Sequence, residues 1–285
     1  MINVGEIALG LLYIVMGIGV LGISKFALDF LTPYKLNSEL TKADNPALGV
    51  TVAAYYAGVV IIFLGASIGE SSVELNNFGA IMNMLGADLG YALFGILALN
   101  LCRKLVDATI LYKFSTVKEI IEDRNVGTGA VEAGAMIATA LMIAGSISGQ
   151  GSFVSTVVFF GLGMFLLILF SRLHILLTPY DDHDEIEKDN VAAGAYLGFS
   201  LIAFGIIVLR ATAGDFISWK SGLSYFAVYA LIGFAGLALL QKVILMFFLP
   251  GADLNEEISR DRNINVAWIG GTLSIGMAAI IFFML

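Results

Sequence analysis

Long apolar segments alternate with short polar segments along the whole chain. The apolar segments span residues 6–31, 46–69, 85–113, 126–147, 153–178, 190–211, 222–249 and 264–285. Since about 20 residues of apolar helix cross a hydrocarbon core of roughly 30 Å, this pattern predicts an all-α integral membrane protein of about eight transmembrane helices. We expect residues 71–84 to form an outer-face loop with an interfacial part, because one helix from 76 to 113 would be too long for a single crossing.

The polar segments that follow the first, third, fifth and seventh apolar segments resemble one another. Leu-Thr-Pro-Tyr stands at 31–34 and again at 177–180, and each copy leads through an acidic stretch to Asp-Asn. Weaker copies at 114–125 and 249–263 end in Asp-Arg-Asn. The repeat predicts four helical hairpins whose polar tips carry Pro33, Tyr34, Asn45, Asn125, Pro179, Tyr180, Asn190 and Asn263. With two hairpins in each half, we predict repeat units 1–150 and 151–285, related by parallel two-fold pseudo-symmetry.

Each tip ends in an asparagine, a residue type that is favoured at the N-cap of the helix that follows. The side-chain oxygen of an N-cap asparagine accepts a backbone N–H that lacks a partner within the helix. The alternative is that the four helix N-termini bind an anion, although the neighbouring aspartates already occupy that electrostatic field. Similarly, the Pro-Tyr pairs are interpreted as structural anchors at the membrane interface, with a partner-docking surface as the alternative.

Composition narrows the classes of function. Hydrophobic residues make up 59% of the chain and charged residues 13%, against roughly 25% charged in soluble domains. One cysteine and two histidines exclude an internal disulfide and make a metal site improbable. The net charge of -8 comes mostly from acidic loops and gives no indication of nucleic-acid binding. No catalytic constellation is visible, so we expect neither an enzyme nor a cofactor.

Basic residues gather at the tips and predict the orientation. On the tips lie Lys35, Lys42, Lys113, Lys118, Arg124, Lys188, Arg260 and Arg262. Only Arg210 and Lys220 fall on the opposite face. Because basic residues are retained on the cytoplasmic side, we expect a bacterial inner-membrane protein with cytoplasmic tips and both termini in the periplasm.

Charged residues inside the apolar segments are the candidate functional feature, because each costs roughly 2.5–3.5 kcal/mol in a bilayer. The expected buried charge site comprises Lys25, Asp29, Arg103, Lys104, Asp107, Glu132, Arg172 and Lys242. The pairs Lys25–Asp29 and Arg103–Asp107 are four residues apart on one helix face, so local pairing is one arrangement.

Glu132 should lie about 10 Å into its helix, at the depth of Lys25 and Lys104, so a pair between helices is the other arrangement. In the second half, Arg172, His174 and Lys242 have no acid inside the membrane to balance them. Snorkelling of the long Lys and Arg side chains to the interface is the alternative to a functional role.

The Leu-Thr-Pro-Tyr tip, the Glu-Ile turn, the Asp-Asn helix start and the helix rich in Gly and Ala resemble the bacterial domain-of-unknown-function 350 membrane family. Its small YjfL-like members have about four spans, so this chain is similar to two such domains in tandem. The resemblance implies a multipass inner-membrane protein. It also implies a cytoplasmic partner connected with membrane stress or polyamines.

Two functions are compatible with these patterns. The first is a channel or transporter subunit for small ions or polar solutes, with the buried charges lining its path. The alternative is a non-transporting scaffold that recruits a cytoplasmic partner through the tips. The expected partners are the lipid bilayer, a second copy of the chain and that cytoplasmic protein, and no nucleic acid.

Overall fold

The computed structural model describes residues 4–68, 77–149, 151–178 and 180–285, except for the side chains of residues 240–242, 244 and 245. Within these ranges the chain is all-helical, and eight helices are long and apolar enough to cross a membrane. They are α1 (Val4–Leu31), α3 (Pro46–Ser67), α4 (Phe78–Thr109), α6 (Val126–Ile147), α7 (Phe153–Leu177), α9 (Val191–Thr212), α10 (Trp219–Phe247) and α11 (Ile264–Met284). The predicted all-α membrane fold is confirmed.

A short helical turn closes each of the four hairpins. These turns are α2 (Leu36–Thr41), α5 (Thr116–Ile121), α8 (Asp182–Glu187) and a π-helical turn at Glu256–Arg260. We call each turn, with the loop that leads into it and the loop that leads to the next asparagine, the tip of its hairpin. Tips 1 to 4 all lie at one end of the bundle, because every hairpin runs in the same direction.

The predicted start of the third span is wrong. Residues 77–84 were expected in a loop, yet α4 already begins at Phe78 and runs for 32 residues. Asn77 starts the helix early, since its side chain accepts a hydrogen bond from the backbone N–H of Ala80 at 3.0 Å. A helix of this length extends about 48 Å, so it tilts or projects beyond the hydrocarbon core. Residues 71–76 of the expected loop lie outside the described residues.

The helices form two layers. The helices that follow the tips, α3, α6, α9 and α11, pack side by side in one row. The helices that precede the tips lie over this row: α4 contacts α3 and α6, α7 contacts α6 and α9, and α10 contacts α9 and α11. Helix α1 contacts α3 and α4, at one end of the row. The predicted two-fold relation between the halves stays a prediction.

Small residues allow the row to pack closely. A Cβ atom added to Gly129 would lie 2.7 Å from the carbonyl oxygen of Ala47, and one added to Gly205 would lie 2.6 Å from the Cα of Ala138. Backbones can approach this closely only where side chains are absent. The glycine and alanine positions therefore fix the spacing of the row.

Candidate functional site

All four tip asparagines cap the helix that follows them. The side-chain oxygens of Asn45, Asn125, Asn190 and Asn263 accept backbone N–H groups of α3, α6, α9 and α11, respectively. The residue before each of them adopts a left-handed backbone conformation: Asp44, Arg124, Asp189 and Arg262 have φ between 49° and 58°. The four tips therefore share one turn geometry, which places each asparagine in the same position.

The asparagine amide groups also connect successive tips. The Nδ2 of Asn45 donates to the carbonyl of Ile120 in tip 2 at 2.7 Å. In the same way Asn125 donates to Ile186 in tip 3 at 2.6 Å, and Asn190 donates to Ile258 in tip 4 at 2.9 Å. These bonds link the four tips in one direction, from each hairpin to the next. We call them the asparagine ladder.

Tips 2 and 3, at the junction of the two halves, carry additional polar contacts. Lys113 forms an ion pair with Asp181, and the buried His183 ring hydrogen-bonds the carbonyl of Ile110 at 2.8 Å. Asp182 is 1% exposed, and this burial raises the pKa of its carboxyl to about 6. Its Oδ2 accepts a hydrogen bond from the Thr178 hydroxyl at 2.5 Å. Sequence reasoning did not identify these contacts, and those of Lys113 and His183 join residues 68 and 73 positions apart in the chain.

Among the predicted buried charges, Arg103 and Glu132 meet. The Nε of Arg103 lies 2.6 Å from Oε1 of Glu132, and the guanidinium also donates to the Tyr34 hydroxyl at 3.1 Å. Glu132 is 1% exposed, and the space around the pair has no room for a water molecule. Asp107 lies close enough to interact with Arg103 electrostatically. The pair is a dry contact between α4 and α6, which Tyr34 of tip 1 covers.

The structure does not bring the other predicted charges to this pair. Lys25 lies 3.9 Å from Asp29 on the same helix, with both side chains substantially exposed. The Lys104 side chain is exposed on α4. The Arg172 guanidinium lies 4.0 Å from the centre of the Tyr112 ring, a cation–π contact. The side chain of Lys242 and the whole of Pro179 lie outside the described residues.

A cavity of about 140 Å³ lies at the tip end of the second half. Its polar lining comes from His174, Thr178, Tyr180, Tyr196, Ser200 and Ser274. His174 is 6% exposed, and no described group hydrogen-bonds its Nε2. Burial also raises the pKa of the Tyr180 phenol, which keeps this hydroxyl neutral. The cavity is large enough for several waters or a small solute.

This cavity takes the place of the charged pair of the first half. Counted from the tip glutamates Glu119 and Glu257, the position of Arg103 corresponds to Gln241. Counted from Asn125 and Asn263, the position of Glu132 corresponds to Gly270. The Tyr196 ring lies against this glycine, where the first half has a buried glutamate: a Cβ atom added to Gly270 would lie 3.0 Å from it. The predicted asymmetry between the halves is therefore also one of packing.

A second cavity of about 450 Å³ lies at the opposite end of the same helices. Its polar lining includes Tyr91, Ser155, Arg210, Asp215, Tyr225 and Tyr229. Arg210 and Tyr229 both donate hydrogen bonds to the carbonyl oxygen of Leu285, at 2.8 and 2.7 Å. Both cavities are lined by α7, α9 and α10. The described part of the chain contains no cluster of three or more His, Cys, Asp or Glu side chains suited to a metal ion.

Comparison with known proteins agrees with this repeat. The family model described as Domain of Unknown Function (DUF350) matches residues 1–147 and again 150–285. A UPF0719 transmembrane protein of Aquifex aeolicus is 24% identical over 199 residues, which cover 68% of this chain and 69% of that protein. The UPF0719 transmembrane protein YshE of Bacillus subtilis is 24% identical over 132 residues, which are 46% of this chain and 93% of that protein. No solved structure matches significantly. The chain is a multipass membrane protein that belongs to the DUF350 family, and it carries two tandem copies of the family domain.

Proposed function

We propose that this chain forms a pathway for small ions or polar solutes across a bacterial inner membrane. The supporting observation is the pair of cavities that lie at opposite ends of α7, α9 and α10. In a membrane protein, cavities that open towards opposite ends of the same helices are what a solute pathway requires. The proposed orientation has the tips in the cytoplasm and both termini in the periplasm, because basic residues predominate at the tips.

Aromatic side chains close the space between the two cavities. Phe170 stacks on Phe204 with ring centres 4.7 Å apart, and the Phe234 ring contacts both rings edge-on, at 5.5 and 5.1 Å. Along α7 the barrier extends from Phe159, which lines the larger cavity, to Phe170, which lines the smaller one. That interval is about 16 Å at 1.5 Å per residue. We interpret the arrangement as a closed pathway whose opening requires these rings to move.

The proposed pathway does not pass through Glu132. The sequence favoured a path lined by Glu132, Asp107, Lys25, Lys104 and Arg172. However, the pair of Glu132 with Arg103 is dry, and Arg172 packs on Tyr112. We therefore assign the pair to the packing of the first half and the solute pathway to the second half.

The test is a flux assay with purified protein in liposomes, using potassium, chloride and spermidine as probes. Phe234→Ala shortens the barrier and should raise the flux of the transported probe several-fold. Phe94→Ala is the matched control, because Phe94 makes a similar edge-on contact with Phe153 that is not part of the barrier. His174→Leu should lower the flux, because it removes a polar group from the tip-end cavity. Absence of flux in both the wild type and Phe234→Ala would overturn the proposal.

A second candidate function is a scaffold that recruits a cytoplasmic protein, and the asparagine ladder favours it. The ladder joins the four tips into one surface, on which Asp184 and Glu187 of α8 are exposed. Such a surface suits a partner with a basic patch. A photo-crosslinker at Glu187 should capture one specific protein, whereas a crosslinker at Lys220 on the opposite end should not. Loss of that product in Asp184→Lys would support a scaffold, and its persistence would count against one.

A further inference from the structure

The asparagine ladder has an open end at each side of the molecule. In the described part of the chain, Asn263 is the one tip asparagine whose amide reaches no other tip, since its Nδ2 donates only to Glu257 of its own tip. At the other end, Leu40 follows the tip glutamate as Ile120, Ile186 and Ile258 do, but none of the asparagines that the structure describes donates to its carbonyl. The row therefore ends in a donor on one side and a matching acceptor on the other.

The row of helices is open at the same two places. Positions in the row helices are counted from the capping asparagine, which is position 0. In this count, position 15 of one helix packs on position 13 of the row helix before it. Thus a Cβ atom on Gly58 would lie 3.2 Å from the Cβ of Ala140, and Gly205 meets Ala138 in the same way. At the ends of the row, position 15 of α3 is Val60, which is 40% exposed, and position 13 of α11 is Gly276, where an added Cβ atom would meet no atom of another described element within 4 Å.

Gly49, near the start of α3, lies on the same uncovered face of the row. It follows Asn45 by four residues, as Gly129 follows Asn125 and Gly194 follows Asn190. Gly129 and Gly194 lie against the backbone of the preceding helix, at Ala47 and Gly127 respectively, whereas a Cβ atom added to Gly49 would meet no atom of another described element within 4 Å. Helix α1 likewise lacks a preceding row helix, and only 11% of its most apolar window is buried.

We propose that copies of this chain associate head to tail in the membrane, with α11 of one copy packed against α3 and α1 of the next. The occupant is a second copy because the open faces continue an interface that the chain already forms three times within itself. Each internal interface joins hairpins of the same direction, so repeating it between copies keeps every tip on the same side of the membrane. Such a heterologous contact produces a ring if the rotation closes and an open row if it does not.

The relative in Bacillus subtilis, which matches a single family domain, could form the same interface only between two separate chains. The match to it covers 93% of that protein with 132 residues, which is one family domain. In this chain the two family domains meet where α6 packs on α9 and where Asn125 donates to Ile186. A protein with one domain can form that contact only with another chain. The inference for this chain does not depend on the proposed solute pathway.

Disulfide crosslinking in native membranes tests the proposal. The double variant Val60→Cys with Gly276→Cys should give a ladder of dimers, trimers and larger products on oxidation, and neither single variant should. The control pair Leu101→Cys with Phe165→Cys is comparably exposed, at 60% and 62%, but lies on α4 and α7, away from the proposed contact. Dimers from Val60→Cys alone would indicate face-to-face pairing and overturn the head-to-tail arrangement.

A steric variant gives a second readout that does not depend on cysteine chemistry. Gly49→Leu should leave the fold intact and weaken association about tenfold in native mass spectrometry, a change of about 1.4 kcal/mol. The equivalent change inside the row, Gly129→Leu, should instead destabilise the fold. A wild-type protein that stays monomeric in lipid nanodiscs at high protein density, and gives no crosslinked ladder, would overturn the proposal.

Discussion

Replacing Glu132 by glutamine tests how the first half is held together. The substitution keeps the size of the side chain and removes the negative charge that lies 2.6 Å from the Arg103 guanidinium. The Arg103 side chain is 13% exposed, so the remaining positive charge is not well solvated. Breaking a buried pair in this way typically costs about 3–5 kcal/mol, because one charge stays buried without its partner.

Two neighbours place the expected cost at the lower end of that range. The Tyr34 hydroxyl still accepts a hydrogen bond from Arg103, and Asp107 still interacts with its charge. We therefore expect Glu132→Gln to lower the free energy of unfolding by about 3 kcal/mol. Removing both charges, with Arg103→Gln added, should restore stability to within about 1 kcal/mol of the wild type. The double variant should therefore be about 2 kcal/mol more stable than Glu132→Gln alone.

The assay is reversible unfolding in mixed detergent micelles, followed by circular dichroism for the wild type, both single variants and the double variant. Lys25→Gln is the matched control, because its pair with Asp29 is long and exposed and should contribute less than about 0.5 kcal/mol. Stability of Glu132→Gln within about 1 kcal/mol of the wild type would refute the reasoning, since about 3 kcal/mol is expected. A double variant no more stable than the worse single variant would also refute it.

Three further predictions concern the tips and the row of helices. Asn190→Ala should lower the free energy of unfolding by about 2–4 kcal/mol, because it removes a helix cap and leaves the buried Ile258 carbonyl without its donor. Asn263→Ala removes only a cap and should lower it by about 1 kcal/mol. Chemical unfolding of both variants measures the difference. The pKa of Asp182 is raised from 3.8 to about 6 in the folded state, so the folded protein binds one more proton than the unfolded chain between these pH values. Thermal unfolding should therefore show about 1 kcal/mol more stability at pH 5 than at pH 7. Asp182→Asn should abolish this difference. Gly134→Leu should cost about 3 kcal/mol or more, because its side chain would overlap the Gly198 backbone, and Gly19→Leu, with no neighbour within 4 Å, serves as the control in the same measurement.

Local features of the sequence were sufficient for most of the fold. The apolar segments predict all eight spans, and the tip asparagines cap the helices that the sequence assigned to them. Both features depend on residues that lie close together in the chain. The start of α4 was missed because Asn77 caps it within a segment whose length suggested a loop.

The partners of the polar groups could not be predicted in the same way. The amide of Asn125 reaches Ile186 across 61 residues, and Arg172 packs on Tyr112 from a different hairpin. Such contacts depend on which hairpins are neighbours, and hydrophobic periodicity does not specify that order. The loss of the charge in the second half does have a sequence signal, because aligning the hairpins on their tip glutamates places Gln241 at the position of Arg103.

The two halves repeat one arrangement of helices but differ in their buried polar groups. At the position where the first half buries Leu28, the second half buries His174, and the cavity beside it replaces the dry pair of Arg103 and Glu132. A buried polar group without a partner costs free energy, so His174→Leu should stabilise the protein even where it lowers flux. A half that served only to anchor the bundle would gain from the leucine. Under the proposed function, the first half supplies the dry packing and the second half supplies most of the lining of the two cavities.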